Sequence, residues 1–209
     1  MISNACVASE EISLGAQFIA RLWSATLPVY RRQSLSQGFV HVPQLFAQSF
    51  IESLSLPLGE QKPSTQSIAL VDDDFHREMD IIAAQEAYAN KQRTRVYEGI
   101  DVRSDGWFSL VTLQFARLAR CRVVCTLYES NTGDATLGSH VDAWFGAIVQ
   151  MRGSKSWKLW QPEATRPIEL TTHIGDVLLM PPTVEHSVAT PEYSAHLVFA
   201  IIDNEPIGT

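Results

Sequence analysis

A histidine and an aspartate two positions apart, His140 and Asp142, stand where a strand is predicted to begin, directly after the polar loop 131–139. At this spacing a neutral imidazole and a carboxylate can bind one metal ion from adjacent positions. A third ligand must come from elsewhere, and His186 is the best candidate because it follows a Pro-Pro turn and sits among valines. Two histidines and one carboxylate form a facial triad with three open metal positions, a set that favours non-haem Fe(II) chemistry with oxygen.

A lysine lies on the apolar side of a second predicted strand. The alternation of a strand places Lys155, Trp157 and Leu159 on one face, which we expect to point inward. A buried lysine is costly alone but favourable opposite a carboxylate. An iron(II) ion, one aspartate and a doubly charged 2-oxoglutarate together leave one negative charge, which Lys155 would neutralise. The hypothesis is that this lysine holds the far carboxylate of a bound 2-oxoglutarate.

The secondary structure that must position these residues is predicted to change to β-strands near residue 121. From there the chain consists of short runs rich in β-branched and aromatic residues, separated by turns. Short strands at close, regular spacing predict an antiparallel sandwich or barrel. Two of the predicted strands, 144–151 and 154–160, are separated by a turn at Gly153. In a third predicted strand, 122–129, the alternation of side chains predicts one inward face. A barrel would bring the inward faces of several strands together around one cavity. The residues of that face are Val124, Thr126 and Tyr128.

The first 120 residues are predicted to be mostly helical. A first helix follows Ser9, taken as its cap, and a second starts at Pro43. The segment 72–92 begins with acidic residues and has basic residues near its end, which matches the dipole of a single helix. A further helix is predicted for about residues 105–119, after Ser104 and Asp105.

Composition limits the classes of function. The chain has 209 residues, a net charge of -7 and an ordinary hydrophobic content, so we expect one globular unit and no nucleic-acid partner. No apolar run approaches the roughly 18 residues of a membrane helix, and the first residues do not read as a secretory signal. The three cysteines lack metal-binding spacing and predict reduced packing residues in a cytoplasmic protein. They are Cys6, Cys121 and Cys125.

Several motifs in about residues 120–200 occur in the order and spacing of one known family. A Leu-Tyr strand is followed by a loop, then His-x-Asp, then an apolar strand ending in Gln-x-x-Gly-x-Lys, then Gly-Asp-x-Leu-x-x-Pro and a histidine. Here these motifs are Leu127-Tyr128, His140-x-Asp142, Gln150-x-x-Gly153-x-Lys155, Gly175-Asp176-x-Leu178-x-x-Pro181 and His186. In these residues the sequence resembles the JmjC and cupin-like 2-oxoglutarate oxygenases. It is most similar to the branch with ribosomal-protein hydroxylases and the asparaginyl hydroxylase of hypoxia signalling.

This resemblance implies a fold and an activity. The fold is a double-stranded β-helix over residues 121–209, with the mostly helical residues 1–120 packed on it in one folding unit. The cofactors implied are Fe(II), 2-oxoglutarate and O2, with His140, Asp142 and His186 as the metal ligands and catalytic centre. Lys155 is implied as the co-substrate anchor, Tyr128 as a second contact, and Thr126 stands where an asparagine commonly faces the co-substrate.

The expected activity is hydroxylation, or another oxidation, of a C–H bond, with release of succinate and CO2. The substrate could be a protein side chain, an amino acid or a peptide-like natural product, and the sequence predicts no oligomeric state. Two other functions remain open. A cupin-type dioxygenase or isomerase without 2-oxoglutarate usually adds a further histidine and a glutamate, and no His-x-His with a following glutamate occurs here. A non-catalytic binding module would be indicated by a lost ligand, and all three are present.

Four histidines lack such neighbours in the sequence. His41 and His76 are interpreted as surface or loop residues, and His173 as part of the turn at 173–176. The role of His196, whose strand should run through the barrel, is left open.

Overall fold

The computed structural model describes residues 4–32, 38–57, 68–78, 80–103, 107–161 and 164–202. Its helices are α1 (Asn4–Tyr30), α2 (Gln48–Ser53), α3 (Ile81–Asn90), α4 (Ile100–Arg103) and α5 (Trp107–Ala119). Its strands are β1 (Val40–Val42), β2 (Ile68–Val71), β3 (Phe75–Glu78), β4 (Thr94–Tyr97), β5 (Arg122–Ser130), β6 (Phe145–Trp160), β7 (Ile168–His173), β8 (Val177–Met180), β9 (Glu185–Ala189) and β10 (Ser194–Ile202). No helix within these ranges is long and apolar enough to cross a membrane.

The strands form two antiparallel sheets that share β6. The major sheet has the order β1-β8-β6-β10-β5-β4-β2-β3. The second half of β6 pairs with β7 on one side and β9 on the other, and these three strands form the minor sheet. The chain is thus mostly antiparallel sheet with an N-terminal helix, and the predicted fold class is confirmed.

The turn predicted at Gly153 is instead a bend inside one long strand. β6 pairs with β10 as far as Gly153, and its pairing with β7 begins at the next residue, Ser154. Gly153 has φ +60°, and a Cβ at this position would lie 1.7 Å from the carbonyl oxygen of Tyr193. Only glycine fits this close approach in the left-handed conformation. The two predicted strands 144–151 and 154–160 are therefore one strand that passes from the major to the minor sheet.

The core has two layers. One fills the space between the helices and the major sheet, where Phe18 of α1 stacks on Phe46 at 4.7 Å and lies 5.9 Å from Phe199 of β10. The second lies between the two sheets and includes Trp157 and Leu159, so the face that carries Lys155 points inward as predicted. Since adjacent strand residues face opposite layers, each buried strand carries apolar residues on both sides.

The first 120 residues differ from the prediction in several elements. They contribute β1, β2, β3 and β4 to the major sheet, none of which was predicted. The segment 72–92 is a strand followed by a helix, because Phe75–Glu78 pairs with β2 in an antiparallel hairpin. Asp80 then caps α3 by accepting a hydrogen bond from Ala83 N at 2.8 Å. Pairing with a neighbouring strand here outweighs the local helix signal.

Helix boundaries were also predicted imperfectly. α1 begins at Asn4, so Ser9 lies inside it, and α2 begins at Gln48. Pro43 precedes a turn at Gln44, which has φ +50°. α5 begins at Trp107, close to the predicted start, whereas Ser104 and Asp105 lie outside the described residues. Among the cysteines, Cys125 is a free thiol buried in the core, and the Sγ atom of Cys121 lies 3.1 Å from the Tyr30 hydroxyl; the side chain of Cys6 is outside the description.

Candidate metal and co-substrate site

The three residues proposed from the sequence as metal ligands meet at one point between the sheets. The donor atoms of His140, Asp142 and His186 all lie within 4.8 Å of one another. The Nε2 atom of His140 is 3.8 Å from Asp142 Oδ1, and that of His186 is 3.6 Å from Asp142 Oδ2. Within the described ranges no other histidine, cysteine or carboxylate joins this cluster. The arrangement therefore offers two imidazole nitrogens and one carboxylate to a single cation.

Backbone pairing holds the two imidazoles together. His140 N donates to His186 O at 3.0 Å and His186 N donates to His140 O at 2.9 Å, so the two rings lie 4.2 Å apart. The loop before His140 is tied down by Thr136, whose hydroxyl donates to Val188 O at 2.9 Å, and by Ser139, which donates to Glu185 at 2.7 Å. The loop that carries His140 is thus joined to β9 by a short ladder of backbone hydrogen bonds.

Backbone carbonyls also fix the protonation of both rings. Nδ1 of His140 donates to Gly138 O at 2.8 Å, and Nδ1 of His186 donates to Val184 O at 3.2 Å. Since a carbonyl can only accept, each Nδ1 carries the proton and each Nε2 presents its lone pair to the cluster. Burial, with a smaller contribution from His140, lowers the pKa of His186 to about 4, and burial raises the pKa of Asp142 to about 6. These shifts show that the site disfavours isolated charges when it holds no cation.

Lys155 lies at the far end of the same cavity. It is 1 % exposed, and its Nζ donates to Ser130 Oγ at 3.1 Å and to Thr190 Oγ1 at 2.6 Å. No carboxylate forms an ion pair with it among the residues that the structure describes. Burial lowers the pKa of Lys155 to about 8, with Asp134 acting in the opposite direction. The ammonium is therefore satisfied by neutral hydroxyls and has no counter-charge.

A cavity of about 410 Å³ connects the two ends. Thr126 and Tyr128 line it from β5, on the inward face that alternation predicted. Tyr128 stacks on His196 with ring centroids 5.0 Å apart and an interplanar angle of 4°. Burial raises the pKa of the Tyr128 phenol, and the carboxylates of Asp142 and Glu98 raise it further. Its phenol thus lies in the field of the Asp142 carboxylate, and no hydrogen bond links it to Lys155.

Several residues of the cavity were missed by sequence reasoning. Ser130 is on the inward face of β5, two residues after Tyr128, so alternation could have identified it; Thr190 follows His186 by four residues in the same way. Thr94, which hydrogen bonds Ser130 at 2.9 Å, and Glu98 come from or directly follow β4 and carried no signal. His196 lies in the cavity wall at 5 % exposure, and its Nδ1 has no hydrogen-bond partner among the described residues.

The remaining histidines lie outside this cavity. His41 is half-buried in β1 and its Nε2 is 3.1 Å from Asp176, which corrects its interpretation as a loop or surface residue. The buried side chain of Asp176 thus holds β1 at the edge of the sheet. No sequence pattern indicated this contact. His76 is exposed beside Asp72, and the carbonyl of His173 accepts from Asp176 N to close the predicted turn.

Comparison with known proteins agrees with the fold. No family model matches the sequence, and no curated protein matches it. Among solved structures, Escherichia coli YcfD is 14% identical, with a TM-score of 0.58 over 86% of this chain and 53% of that chain. The chain has the fold of this protein. A structure described as the ribosomal oxygenase YcfD in complex with cobalt and 2-oxoglutarate is also 14% identical, with a TM-score of 0.58 over 80% of this chain and 49% of that chain.

The similarity to YcfD covers only part of that protein. The chain spans about half the length of the YcfD structures it matches. YcfD has also been solved with cobalt and succinic acid, at 15% identity and a TM-score of 0.57. The resemblance to JmjC and cupin-like oxygenases inferred from the motifs is thereby confirmed for the fold.

Proposed function

We propose that the protein is an Fe(II)- and 2-oxoglutarate-dependent oxygenase that oxidises a C–H bond of a protein side chain, an amino acid or a peptide-like natural product. The observation that carries the proposal is a single cavity with two chemically distinct ends. At one end lie His140, Asp142 and His186, and at the other lies a buried ammonium without a counter-charge. The solved YcfD complexes with cobalt and with 2-oxoglutarate support the same assignment.

The metal end fits iron(II) in its donor chemistry. Two neutral imidazoles and one carboxylate are the set that non-haem iron enzymes use, and they leave positions for other ligands. The hydrogen bonds from Nδ1 of His140 and of His186 to backbone carbonyls orient the lone pairs before any cation arrives. A bound dication would also stabilise the ionised form of Asp142, whose burial otherwise disfavours its charge.

The lysine end fits a carboxylate. A buried ammonium bonded only to hydroxyls gains most from an anionic partner. Lys155 pairs with Thr172 in the sheet and Leu159 pairs with His186, so four residues of strand, roughly 13 Å, separate the lysine backbone from the metal end. The lysine side chain points into the cavity, where its ammonium is held by Ser130 and Thr190. A dicarboxylate that is bound at one end by Lys155 can therefore present its other end toward the metal ligands.

The roles of the chain's own residues follow from these positions. When bound, iron(II) and 2-oxoglutarate supply the oxidising power: O2 gives one oxygen atom to the substrate C–H bond and one to succinate, with loss of CO2. His140, Asp142 and His186 would hold the iron. Lys155, with Ser130 and Thr190, would bind and orient the co-substrate. The apolar walls would exclude water from the reacting groups.

A binding experiment tests the proposal directly. The purified protein is titrated with Fe(II) and then with 2-oxoglutarate without oxygen, and the visible charge-transfer band is recorded. We expect the band to appear only when both are present, and succinate to form once O2 and a substrate are supplied. Retention of Fe(II) without any 2-oxoglutarate-dependent band would reject the co-substrate assignment, and failure to retain Fe(II) would reject the metal site.

A further inference from the structure

The part of the cavity that remains for a substrate has apolar walls. Its lining, apart from the metal ligands and the lysine end, is dominated by the side chains of Val71, Phe75, Val124, Leu137, Trp144 and Ile202. Phe75 and Leu137 pack together with Val71 beside Tyr128. These residues come from β2, β3, β5, β10 and the loop around the metal ligands, so the apolar lining surrounds the cavity from several directions.

Strand register places the Val124 part of this lining, the apolar end, away from the lysine, whereas Val71 pairs with Thr94 on the Ser130 side. Ser130, which accepts from Lys155, is opposite Ser194 in β10, whereas Val124 is opposite Ala200. Six residues of β5, roughly 20 Å, separate Ser130 from Val124. The loop that carries Asp142 enters β6 at Phe145, which pairs with Ile201 at the Val124 end. The loop that carries Asp142 therefore enters the sheet at the apolar end, away from the lysine end.

Three residues that line the cavity carry a formal charge among the described residues: Glu98, Asp142 and Lys155. Under the proposed function Asp142 binds the metal and Lys155 binds the co-substrate. Glu98 already forms an ion pair with Arg77, whose Nη2 donates to Oε1 at 3.2 Å and whose Nε donates to Oε2 at 3.4 Å.

Arg77 is a rim residue. It is 53 % exposed, and its guanidinium carbon lies 5.7 Å from the centroid of the Phe75 ring. It thus covers the outer side of Phe75 and Glu98 while its own charge stays in water. His196 adds no charge, because burial, followed by the nearby Lys155, holds its pKa well below the usual value. No formal charge in the lining is left for a charged substrate group.

We propose that the group presented to the metal is uncharged and mainly apolar: an aliphatic or aromatic side chain, or the hydrocarbon part of a small molecule. This inference rests on the proposed function for the pairing of Asp142 and Lys155. A charged group that entered the apolar end would lose its hydration without gaining a counter-charge. An apolar group would lose only unfavourable contact with water.

Small probe molecules test this preference. The protein, saturated with Fe(II) and 2-oxoglutarate without oxygen, is titrated with N-acetyl-norleucinamide and N-acetyl-phenylalaninamide, and with their charged counterparts N-acetyl-lysinamide and N-acetyl-glutamic acid amide. Binding is followed by calorimetry and by tryptophan fluorescence, since Trp144 and Trp157 line the cavity. We expect norleucinamide to bind at least about tenfold more tightly than lysinamide, because the latter buries an unpaired ammonium.

A charge variant sharpens the result. Arg77→Gln removes the partner of Glu98, so lysinamide should bind several-fold more tightly than to the parent protein while norleucinamide is unchanged. Arg166→Gln, which removes an exposed arginine from a loop that does not line the cavity, is the matched control and should change neither affinity. Equal or tighter binding of the charged probes by the parent protein overturns the inference. So does the failure of both apolar probes to bind at millimolar concentration, or an unchanged lysinamide affinity in Arg77→Gln.

Failure of the proposed function would look different. A parent protein that binds no 2-oxoglutarate rejects the co-substrate assignment and, with it, the pairing of Lys155 on which this inference rests. A parent protein that binds Fe(II) and 2-oxoglutarate but prefers the charged probes rejects the inference alone.

Discussion

The two ends of the cavity are assembled in different ways. At the proposed metal end, backbone carbonyls orient His140 and His186, and the candidate ligands come from two short segments of the chain. At the lysine end, side-chain hydroxyls surround Lys155, and they come from β5 and from the residue after β9, with Thr94 of β4 behind them. The side chains at the metal end are partly exposed, and burial disfavours an isolated charge there. The lysine end is buried and already hydrogen bonded.

This difference indicates how each end responds to a lost partner. A missing metal ligand removes one of three donors, and no nearby carboxylate among the described residues can replace it. A missing hydroxyl at the lysine end leaves another hydroxyl in place. We therefore expect a substitution at the metal end to abolish turnover, and a substitution at the lysine end to lower 2-oxoglutarate affinity by an amount that depends on the group removed.

The largest effect is expected for Asp142→Ala, which removes the only anionic donor of the cluster. Metal affinity should fall at least about hundredfold, and turnover should be abolished while the fold is retained. His140→Ala and His186→Ala should abolish turnover as well. The measurements are iron content after dialysis, succinate release and circular dichroism. Glu86→Ala, on the exposed surface of α3, is the control for loss of a carboxylate. Normal turnover of Asp142→Ala at limiting iron would remove the ligand assignment.

Lys155→Ala should separate the two ends. A charge-assisted hydrogen bond of about 1.5–3 kcal/mol is lost, so 2-oxoglutarate affinity should fall about tenfold to a hundredfold while iron binding is unchanged. Lys155→Arg should also be impaired, because a planar fork does not replace a compact ammonium. An anaerobic 2-oxoglutarate titration of the Fe(II)-loaded variants measures both. Lys158→Ala is the matched control, since Lys158 lies on the same strand but is exposed and pairs with Glu169. Equal affinity in Lys155→Ala would make this lysine a structural residue only.

The pH dependence of co-substrate binding follows from the lowered pKa of Lys155, about 8. The ammonium is charged below this value and neutral above it, so 2-oxoglutarate affinity should fall as pH rises, by about tenfold between pH 7 and pH 9. Lys155→Arg, which stays charged, should show a flat profile over the same range. Titrations at several pH values, with iron saturation verified at each, provide the test. A flat profile in the parent protein would contradict the role of the ammonium.

The smallest effect is expected for Thr190→Val. It removes the nearer of the two hydroxyls that accept from Lys155, at 2.6 Å, and should lower the free energy of unfolding by about 1–2 kcal/mol without 2-oxoglutarate. Bound 2-oxoglutarate supplies a new acceptor, so the loss should shrink in its presence. Urea unfolding with and without 2-oxoglutarate measures the difference, and Thr171→Val, on β7, is the control. A loss that does not respond to 2-oxoglutarate would place Thr190 in the fold rather than in the site.

Tyr128→Phe should weaken 2-oxoglutarate binding less than Lys155→Ala does, because it removes one neutral hydrogen bond rather than a charge-assisted one. The same anaerobic titration measures it.

Sequence reasoning was most successful where the signal was local. Alternation on β5 and on the second half of β6 predicted the inward faces that carry Tyr128 and Lys155, and the chain after residue 121 is rich in short strands as expected. It failed at Phe75–Glu78, because a four-residue strand in an acidic segment resembles the start of a helix. It also placed a turn at Gly153, because a glycine that permits a bend within a strand looks the same in sequence as one that ends a strand.

The sequence by itself determined the strand-rich second half, the His-x-Asp pair with its distant histidine, and the inward lysine, because each depends on residue type and on spacing within one element. The tertiary structure decided which residues complete each end. The backbone ladder between His140 and His186, the hydroxyls of Ser130 and Thr190 on Lys155, and the pairing of Glu98 with Arg77 all join segments far apart in the chain. Such contacts depend on sheet register and on the bend of β6, which no local pattern of residues specifies.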